Sequence, residues 1–130
     1  MSKAPVTLRE ADIERTCTEF LEWDGWRALK TDPVSRREWG KGFGEVGMAD
    51  HLYIRYGRGI GGVPTDGGNG VVLWIEWKRK HGKAAQHQLT WHRLERLRGA
   101  LTLIAGMDFE ASVEGFKAWY RSSGLQRGGA

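Results

Sequence analysis

The chain has 130 residues, of which 40% are hydrophobic and seven are tryptophan, so it is long enough to bury the core of one domain. Twenty lysine and arginine residues stand against sixteen acidic ones, a moderate basic excess that allows an anionic partner without requiring one. The chain has a single cysteine, no apolar run near the roughly 18 residues that span a bilayer, and no apolar signal-peptide stretch near its N-terminus. These features exclude a membrane protein, a secreted disulfide scaffold and a disordered tail, and they predict one small soluble domain in the cytoplasm.

The first third of the chain predicts a helix, a short strand and a long loop. Thr7 and Glu10 have the spacing of a capping box, and apolar residues recur at helical spacing from there until Gly25 ends the helix. The alternating residues 26–30 predict a strand. Residues 31–47 hold one proline and four glycines and predict a long loop, which in a compact domain is usually functional or mobile.

The rest of the chain predicts a hairpin and then a helix, a strand and a helix. Residues 50–56 alternate as a strand does, residues 57–70 are a glycine-rich turn, and residues 71–78 are nearly continuously apolar, as in a central strand. The remaining predicted elements are a helix over 83–98, a strand over 100–105, a helix over 109–121 and a fraying tail over 122–130. This order of helix, three strands, helix, strand and helix predicts an α/β sandwich with a mixed sheet flanked by helices.

Charged residues end the most apolar strand, where the pattern does not need them. Glu76 and Lys78 are two residues apart and therefore share one face of the strand. Asp50 begins the preceding strand, so a hairpin would bring it beside both of them. Two carboxylates with open positions form the oxygen site that Mg²⁺ prefers. The alternatives are a surface ion pair for the glutamate and lysine and a turn role for the aspartate.

Four short motifs carry a resemblance to a known family. They are EADIE at 10–14, GMAD at 47–50, IEWKRKHGK at 75–83 and QLTWH at 88–92. In this order they resemble the PD-(D/E)XK nuclease superfamily, and within it the virus-type replication-repair nuclease (VRR-NUC) domains, over about residues 8–120. Ala49 stands where the family has proline, and the 57–70 loop lengthens the interval between the acidic motifs. The resemblance implies a restriction-endonuclease-like fold, and a phage origin is compatible with it.

The resemblance also implies a set of site residues. Asp50, Glu76 and a glutamate of the first helix would ligate the metal, and Lys78 would lie beside the attacking water. Glu14 is the preferred helix ligand, because it stands eleven residues before Gly25, as in related junction-resolving enzymes. Glu10 is the second candidate, with the capping box as its alternative role.

Other side chains near the motifs have two interpretations each. Gln88 is expected to orient Lys78 or a phosphate, with an exposed helical glutamine as the alternative. His92 is interpreted as a packed helix histidine, although it could donate to the metal ligands. Trp77 and Trp91 are expected in the core. His51 is given no catalytic role, because alternation along the strand places it on the face opposite Asp50.

The implied activity is Mg²⁺-dependent hydrolysis of DNA phosphodiester bonds, with Mn²⁺ able to substitute. A domain this small has little surface for reading duplex sequence. The resemblance implies branched DNA such as a Holliday junction as the substrate and a homodimer as the assembly, in which two symmetric sites could cut two strands. The alternatives are a nuclease acting on flap or plain duplex DNA, and a DNA-binding module with an inactive site. Basic residues flank the motifs and are expected to contact phosphates, with a solvated basic face as the alternative: Arg36, Arg37, Lys41, Arg79, Lys80 and Lys83.

Overall fold

A four-stranded mixed sheet lies at the centre of the fold, with helices packed against it. The computed structural model describes residues 8–31, 45–57 and 70–127. The predicted α/β class with a mixed sheet flanked by helices is confirmed. In those ranges no helix is both long enough and apolar enough to cross a membrane. In chain order the elements are α1 (Glu10–Trp23), β1 (Arg27–Lys30), β2 (His51–Arg55), β3 (Val71–Glu76), α2 (Gln86–Leu97), β4 (Leu101–Ile104) and α3 (Val113–Ser123).

The strands lie in the sheet in chain order, β1-β2-β3-β4. The first three are antiparallel neighbours, and β4 returns parallel to β3 after the crossover through α2. In the register, His51 pairs with Ile75 across β2 and β3, and Glu76 pairs with Ile104 across β3 and β4. The carboxyl end of β3 therefore has the start of β2 on one side and the end of β4 on the other.

One face of the sheet packs against α1 and α3. Alternate residues of the third strand point to this face, and Trp77, directly after it, is 1% exposed and lies edge-on to Phe116 with ring centroids 5.1 Å apart. The predicted core position of Trp77 is confirmed. The helix α1 contributes a stripe of three buried side chains at helical spacing, namely Ile13, Cys17 and Leu21.

The opposite face of the sheet packs against α2. Trp91 of this helix is buried, as predicted, and meets Trp74 of β3 edge-to-face with centroids 5.2 Å apart. Arg96 donates to the backbone oxygen of Thr102 in β4 over 2.8 Å. These contacts hold the crossover helix against the two parallel strands, so its first turn stays close to the end of β3.

The predicted capping box at the start of α1 is wrong. The helix begins at Glu10, its N-cap is Arg9, and no side chain caps it. Glu10 is thus the first helical residue rather than the third, and it cannot reach back to the N-cap amide as a capping box requires. Thr7 lies outside the described residues. The carboxylate of Glu10 is consequently available for another role.

Several other boundaries differ from the predicted ones. The third strand ends at Glu76, so Lys78 follows it. The last helix begins at Val113 rather than at 109, because Ser112 is its N-cap and accepts from the Gly115 amide over 2.9 Å. The last helix continues to Ser123. Beyond it, the Arg127 amide donates to the Asp24 carboxylate over 3.0 Å, within the tail that was expected to fray. Most of the two predicted loops, residues 32–44 and 58–69, lies outside the described residues.

The thiol of Cys17 is expected to resist modification in the folded protein. The side chain is fully buried on α1, and burial raises its pKa to about 12, so roughly one thiol in 10⁴ is ionised at pH 8. We expect the native protein to react with a disulfide reagent at least about 1,000-fold more slowly than the urea-unfolded protein, because reaction requires unfolding. Stopped-flow absorbance with glutathione as the reference thiol measures this. Equal rates for the folded and unfolded protein would show that the packing of α1 described here is incorrect.

Candidate functional site

Two acidic residues, Asp50 and Glu76, lie where β2 begins and β3 ends, and together they form the acidic pair of the candidate site. The pairing of His51 with Ile75, extended by one residue, places Asp50 opposite Glu76. The backbone of Asp50 is held there by β1, because the Thr31 amide donates to the Asp50 carbonyl over 2.8 Å. The antiparallel register therefore places the two acidic residues at neighbouring backbone positions, as the hairpin predicted.

The carboxylate of Glu76 is buried without a full set of partners. The residue is 3% exposed, and its Oε1 atom has no hydrogen-bond partner among the residues that the structure describes. Its Oε2 atom lies 3.8 Å from the Nζ atom of Lys78. Burying a carboxylate oxygen without a partner is costly, so this atom is a candidate ligand for an ion.

Lys78 is held by the first turn of α2. Its Nζ atom donates to Oε1 of Gln88 over 3.1 Å, and the same oxygen accepts from the Ala85 amide over 2.8 Å. The expected contact between Gln88 and Lys78 is thus present. Through it the ammonium group is fixed between the start of α2 and the end of β3.

A stripe of polar residues on α1 faces β2. Thr18 hydrogen bonds to the hydroxyl of Tyr53 over 2.7 Å, and one turn earlier Glu14 Oε1 lies 2.9 Å from Nε2 of His51. Glu10 is one further turn along the same stripe, in the direction of the acidic pair. The preferred helix ligand, Glu14, is therefore engaged by a histidine.

Glu10 instead lies within the electrostatic field of the acidic pair. Burial raises the pKa of its carboxyl above the ordinary value even though the residue as a whole is exposed. Lys78 opposes this rise, whereas the carboxylates of Asp50 and Glu76 add to it. The protonation of Glu10 is therefore coupled to Asp50, Glu76 and Lys78.

His51 lies in the site, contrary to the expectation that it would point away from Asp50. Its Nδ1 atom forms a hydrogen bond of 2.8 Å with Oδ1 of Asp50, and its Nε2 atom lies 2.9 Å from Oε1 of Glu14. Burial disfavours the charged ring, but the hydrogen bond to Asp50 and the charges of both carboxylates outweigh it, so the pKa of His51 is raised. The alternation argument missed this contact because Asp50 lies immediately before the first residue of β2, where its side chain can turn toward the adjacent His51.

His92 is a packed helix histidine, as expected. It is 1% exposed, and its Nε2 atom lies 4.0 Å from Oε1 of Glu76, which is too long for a hydrogen bond. Within the described ranges, neither ring nitrogen has a hydrogen-bond partner. In this geometry His92 faces Glu76 without donating to it.

The basic residues fall into two groups. Arg79, Lys80 and Lys83 are exposed around the turn that follows β3, and none of them forms an ion pair with another described residue. This turn is tight, since His81 has a left-handed φ of 65°. Arg36, Arg37 and Lys41 lie outside the described residues.

The segment before Asp50 lies directly against α2. Gly47 has a φ of +83°, and a Cβ atom at this position would lie 2.1 Å from the carbonyl oxygen of His87. Only glycine permits this approach. The chain that carries Asp50 therefore contacts the first turn of the helix that holds Lys78.

The donor set matches a magnesium ion in chemistry. Glu10, Asp50 and Glu76 offer the carboxylate oxygens that Mg²⁺ prefers, and Oε1 of Glu76 lacks any other partner. Across the described ranges, no three histidine, cysteine or acidic side chains are grouped closely enough to hold a metal as they stand.

Comparisons of the chain with protein-family models, with curated proteins and with solved structures find no match. What the chain does must therefore be inferred from its own residues.

Proposed function

We propose that this chain is a metal-dependent DNA endonuclease of the restriction-endonuclease-like, VRR-NUC type. One observation carries the proposal. The buried carboxylate of Glu76 has an unpartnered oxygen, lies opposite Asp50 and is followed by Lys78 within 3.8 Å. This is the E-x-K arrangement at adjacent strand ends on which the sequence resemblance rests.

Each site residue has a distinct part in the proposed reaction. Asp50 and Glu76, with Glu10 from α1, hold the cation. A bound Mg²⁺ supplies Lewis acidity and lowers the pKa of a ligating water. Lys78, fixed by Gln88, presents its ammonium to the scissile phosphate or to the attacking water and stabilises the negative charge that develops on the phosphate.

The exposed turn after β3 supports DNA as the substrate. Arg79, Lys80 and Lys83 project beside Lys78 without ion-pair partners among the described residues, so they are free to contact phosphates on either side of the cleaved bond. Binding through such contacts weakens as the salt concentration rises, because phosphate binding releases counterions.

Branched DNA and a homodimer are part of the proposal. One subunit offers a small footprint, and two subunits related by a two-fold axis would place two sites against the two strands of a junction. The apolar side chains of α3 are used inside the subunit, where Phe116 and Tyr120 are fully buried. The exposed apolar residues Leu97 and Met107 line a groove together with Ile104 at the end of β4.

Cleavage assays on two substrates test the proposal. We expect the protein to cut a synthetic four-way junction and a supercoiled plasmid with Mg²⁺ or Mn²⁺, and to cut neither with EDTA. Faster cutting of the junction, together with a mass near twice 14.7 kDa by light scattering, supports the branched substrate and the dimer. Faster cutting of a flap or plain duplex favours that alternative substrate. DNA binding with no cutting under any condition would leave only the inactive binding module.

A further inference from the structure

The imidazole of His51 lies between two carboxylates from different parts of the chain. Its Nε2 atom is 2.9 Å from Oε1 of Glu14 on α1, and its Nδ1 atom is 2.8 Å from Oδ1 of Asp50. The Nδ1 contact is a hydrogen bond to Asp50, and the Nε2 contact is an ion pair with Glu14 when the ring is protonated. The residue is 8% exposed, which leaves water little access to compete for these contacts.

The backbone and the side chain of Asp50 are held by different neighbours. The backbone is fixed by β1, through the Thr31 amide to the Asp50 carbonyl and the Thr31 hydroxyl to the Ala49 carbonyl over 2.7 Å. These bonds leave the side-chain torsions of Asp50 undetermined. The hydrogen bond to His51 engages Oδ1 and leaves Oδ2 outside that bond, so it sets the direction of the carboxylate.

The element that carries the imidazole is itself firmly placed. His51 begins β2, which has hydrogen-bonded strands on both sides. Two residues along the same face, the Tyr53 hydroxyl bonds Thr18 over 2.7 Å and accepts from Trp77 Nε1 over 2.9 Å. The α1 helix and β2 are therefore joined by two neighbouring polar contacts, of which only the one at His51 reaches Asp50.

We propose that His51 is a positioning residue that fixes the carboxylate of Asp50, with Glu14 as its anchor on α1, so that Asp50 and Glu76 can bind one divalent cation together. The inference rests on the proposed function, because it takes Asp50 and Glu76 as the cation ligands. Neighbours that orient metal ligands in this way typically change metal affinity by about 10- to 100-fold when they are removed.

The test measures cation binding directly on the full chain. Mn²⁺ is titrated into the metal-free protein and the free ion is followed by electron paramagnetic resonance, with Mg²⁺ as competitor. We expect His51→Gln and His51→Asn to weaken Mn²⁺ binding by about 10-fold or more, because the N–H groups of an amide are on one nitrogen and cannot span Asp50 and Glu14 as the two ring nitrogens do. Glu76→Gln serves as the reference for a lost ligand.

Tyr53→Phe is the matched control. It removes a buried hydroxyl from the same face of β2 and two hydrogen bonds between elements, but it does not touch Asp50. We expect it to lower the unfolding temperature and to leave Mn²⁺ affinity within about twofold. A loss of affinity in this control equal to that in His51→Gln would assign the effect to general loosening of α1 and would overturn the inference.

A measurement on the unmodified protein does not depend on a variant that folds. The side-chain ¹⁵N resonances of His51 are followed while Mg²⁺ is added, and we expect them to shift along the same saturation curve as cation binding. Constant resonances at saturating Mg²⁺, or unchanged Mn²⁺ affinity in folded His51→Gln, would overturn the positioning role alone. Failure of Glu76→Gln to weaken binding, or no binding by the natural sequence, would instead remove the proposed function and this inference with it.

Discussion

Glu76→Gln is expected to lower the rate of Mg²⁺-dependent DNA cleavage by at least about 100-fold, the scale of losing one group that stabilises developing charge. The amide keeps the size of the carboxylate but loses the charge that binds the cation. We expect the same loss in Asp50→Asn, whose remaining carbonyl oxygen can still accept from His51. Single-turnover cleavage of a labelled junction measures the rate.

The unfolding temperature distinguishes a loss of cleavage caused by the missing metal ligand from a loss caused by a general folding defect. Removing the charge of the buried Glu76 carboxylate relieves a desolvation cost in the metal-free protein, but it also removes the attraction to Lys78 at 3.8 Å. Because these two effects oppose each other, we expect Glu76→Gln to unfold at about the same temperature as the natural sequence, with DNA affinity retained. Glu19→Gln, at an exposed position of α1, is the control and should cut normally. Cleavage by Glu76→Gln at the natural rate would rule out the metal assignment.

Glu10→Gln and Glu14→Gln are expected to differ in opposite directions in cleavage rate and in unfolding temperature. For Glu10→Gln we expect a loss of cleavage of about 100-fold and little change in unfolding temperature, because this carboxylate lies in the field of the acidic pair and caps nothing. For Glu14→Gln we expect a loss of less than about 10-fold in cleavage together with a lower unfolding temperature, because Glu14 joins α1 to His51 on β2.

The two substitutions lie one helical turn apart and each replaces a glutamate with glutamine, so each variant is the control for the other. Cleavage rates and thermal unfolding midpoints are measured on both proteins in the same buffer. Abolished cleavage in Glu14→Gln with normal cleavage in Glu10→Gln would show that Glu14 is the metal ligand on α1, as the sequence resemblance implies.

The pairing of Asp50 with Glu76 could be predicted from the sequence because it depends only on a hairpin. In antiparallel strands the start of one lies beside the end of the next, whatever the length of the loop between them. The apolar stripe of α1 and the core position of Trp77 were likewise readable, because periodicity reports which face of an element is buried.

The sequence could not show which of the two glutamates, Glu10 or Glu14, lies nearer to Asp50 and Glu76. The two residues are four apart on one face of a helix, so periodicity treats them alike. Which of them reaches the acidic pair depends on how far α1 extends along β2, and only the contacts of Thr18 with Tyr53 and of Glu14 with His51 determine that.

The role of His51 was missed for a related reason. Alternation applies inside a strand, and the predicted strand began one residue too early, at Asp50. The side chain of a residue just before a strand can turn to either face. A carboxylate next to a histidine at a strand start is the only signal in the sequence, and it is too common to indicate a contact.

Because Gly47 lies so close to the backbone of α2, it limits which substitutions and insertions are compatible with the site. A Cβ atom there would collide with the backbone of His87 and push the chain carrying Asp50 away from the helix turn that holds Lys78. Insertions at the tip of the hairpin between β2 and β3 lie at the other end of those strands from Asp50 and Glu76. Related chains can therefore vary widely in the length of that hairpin, whereas position 47 tolerates no side chain, although it is not itself a ligand.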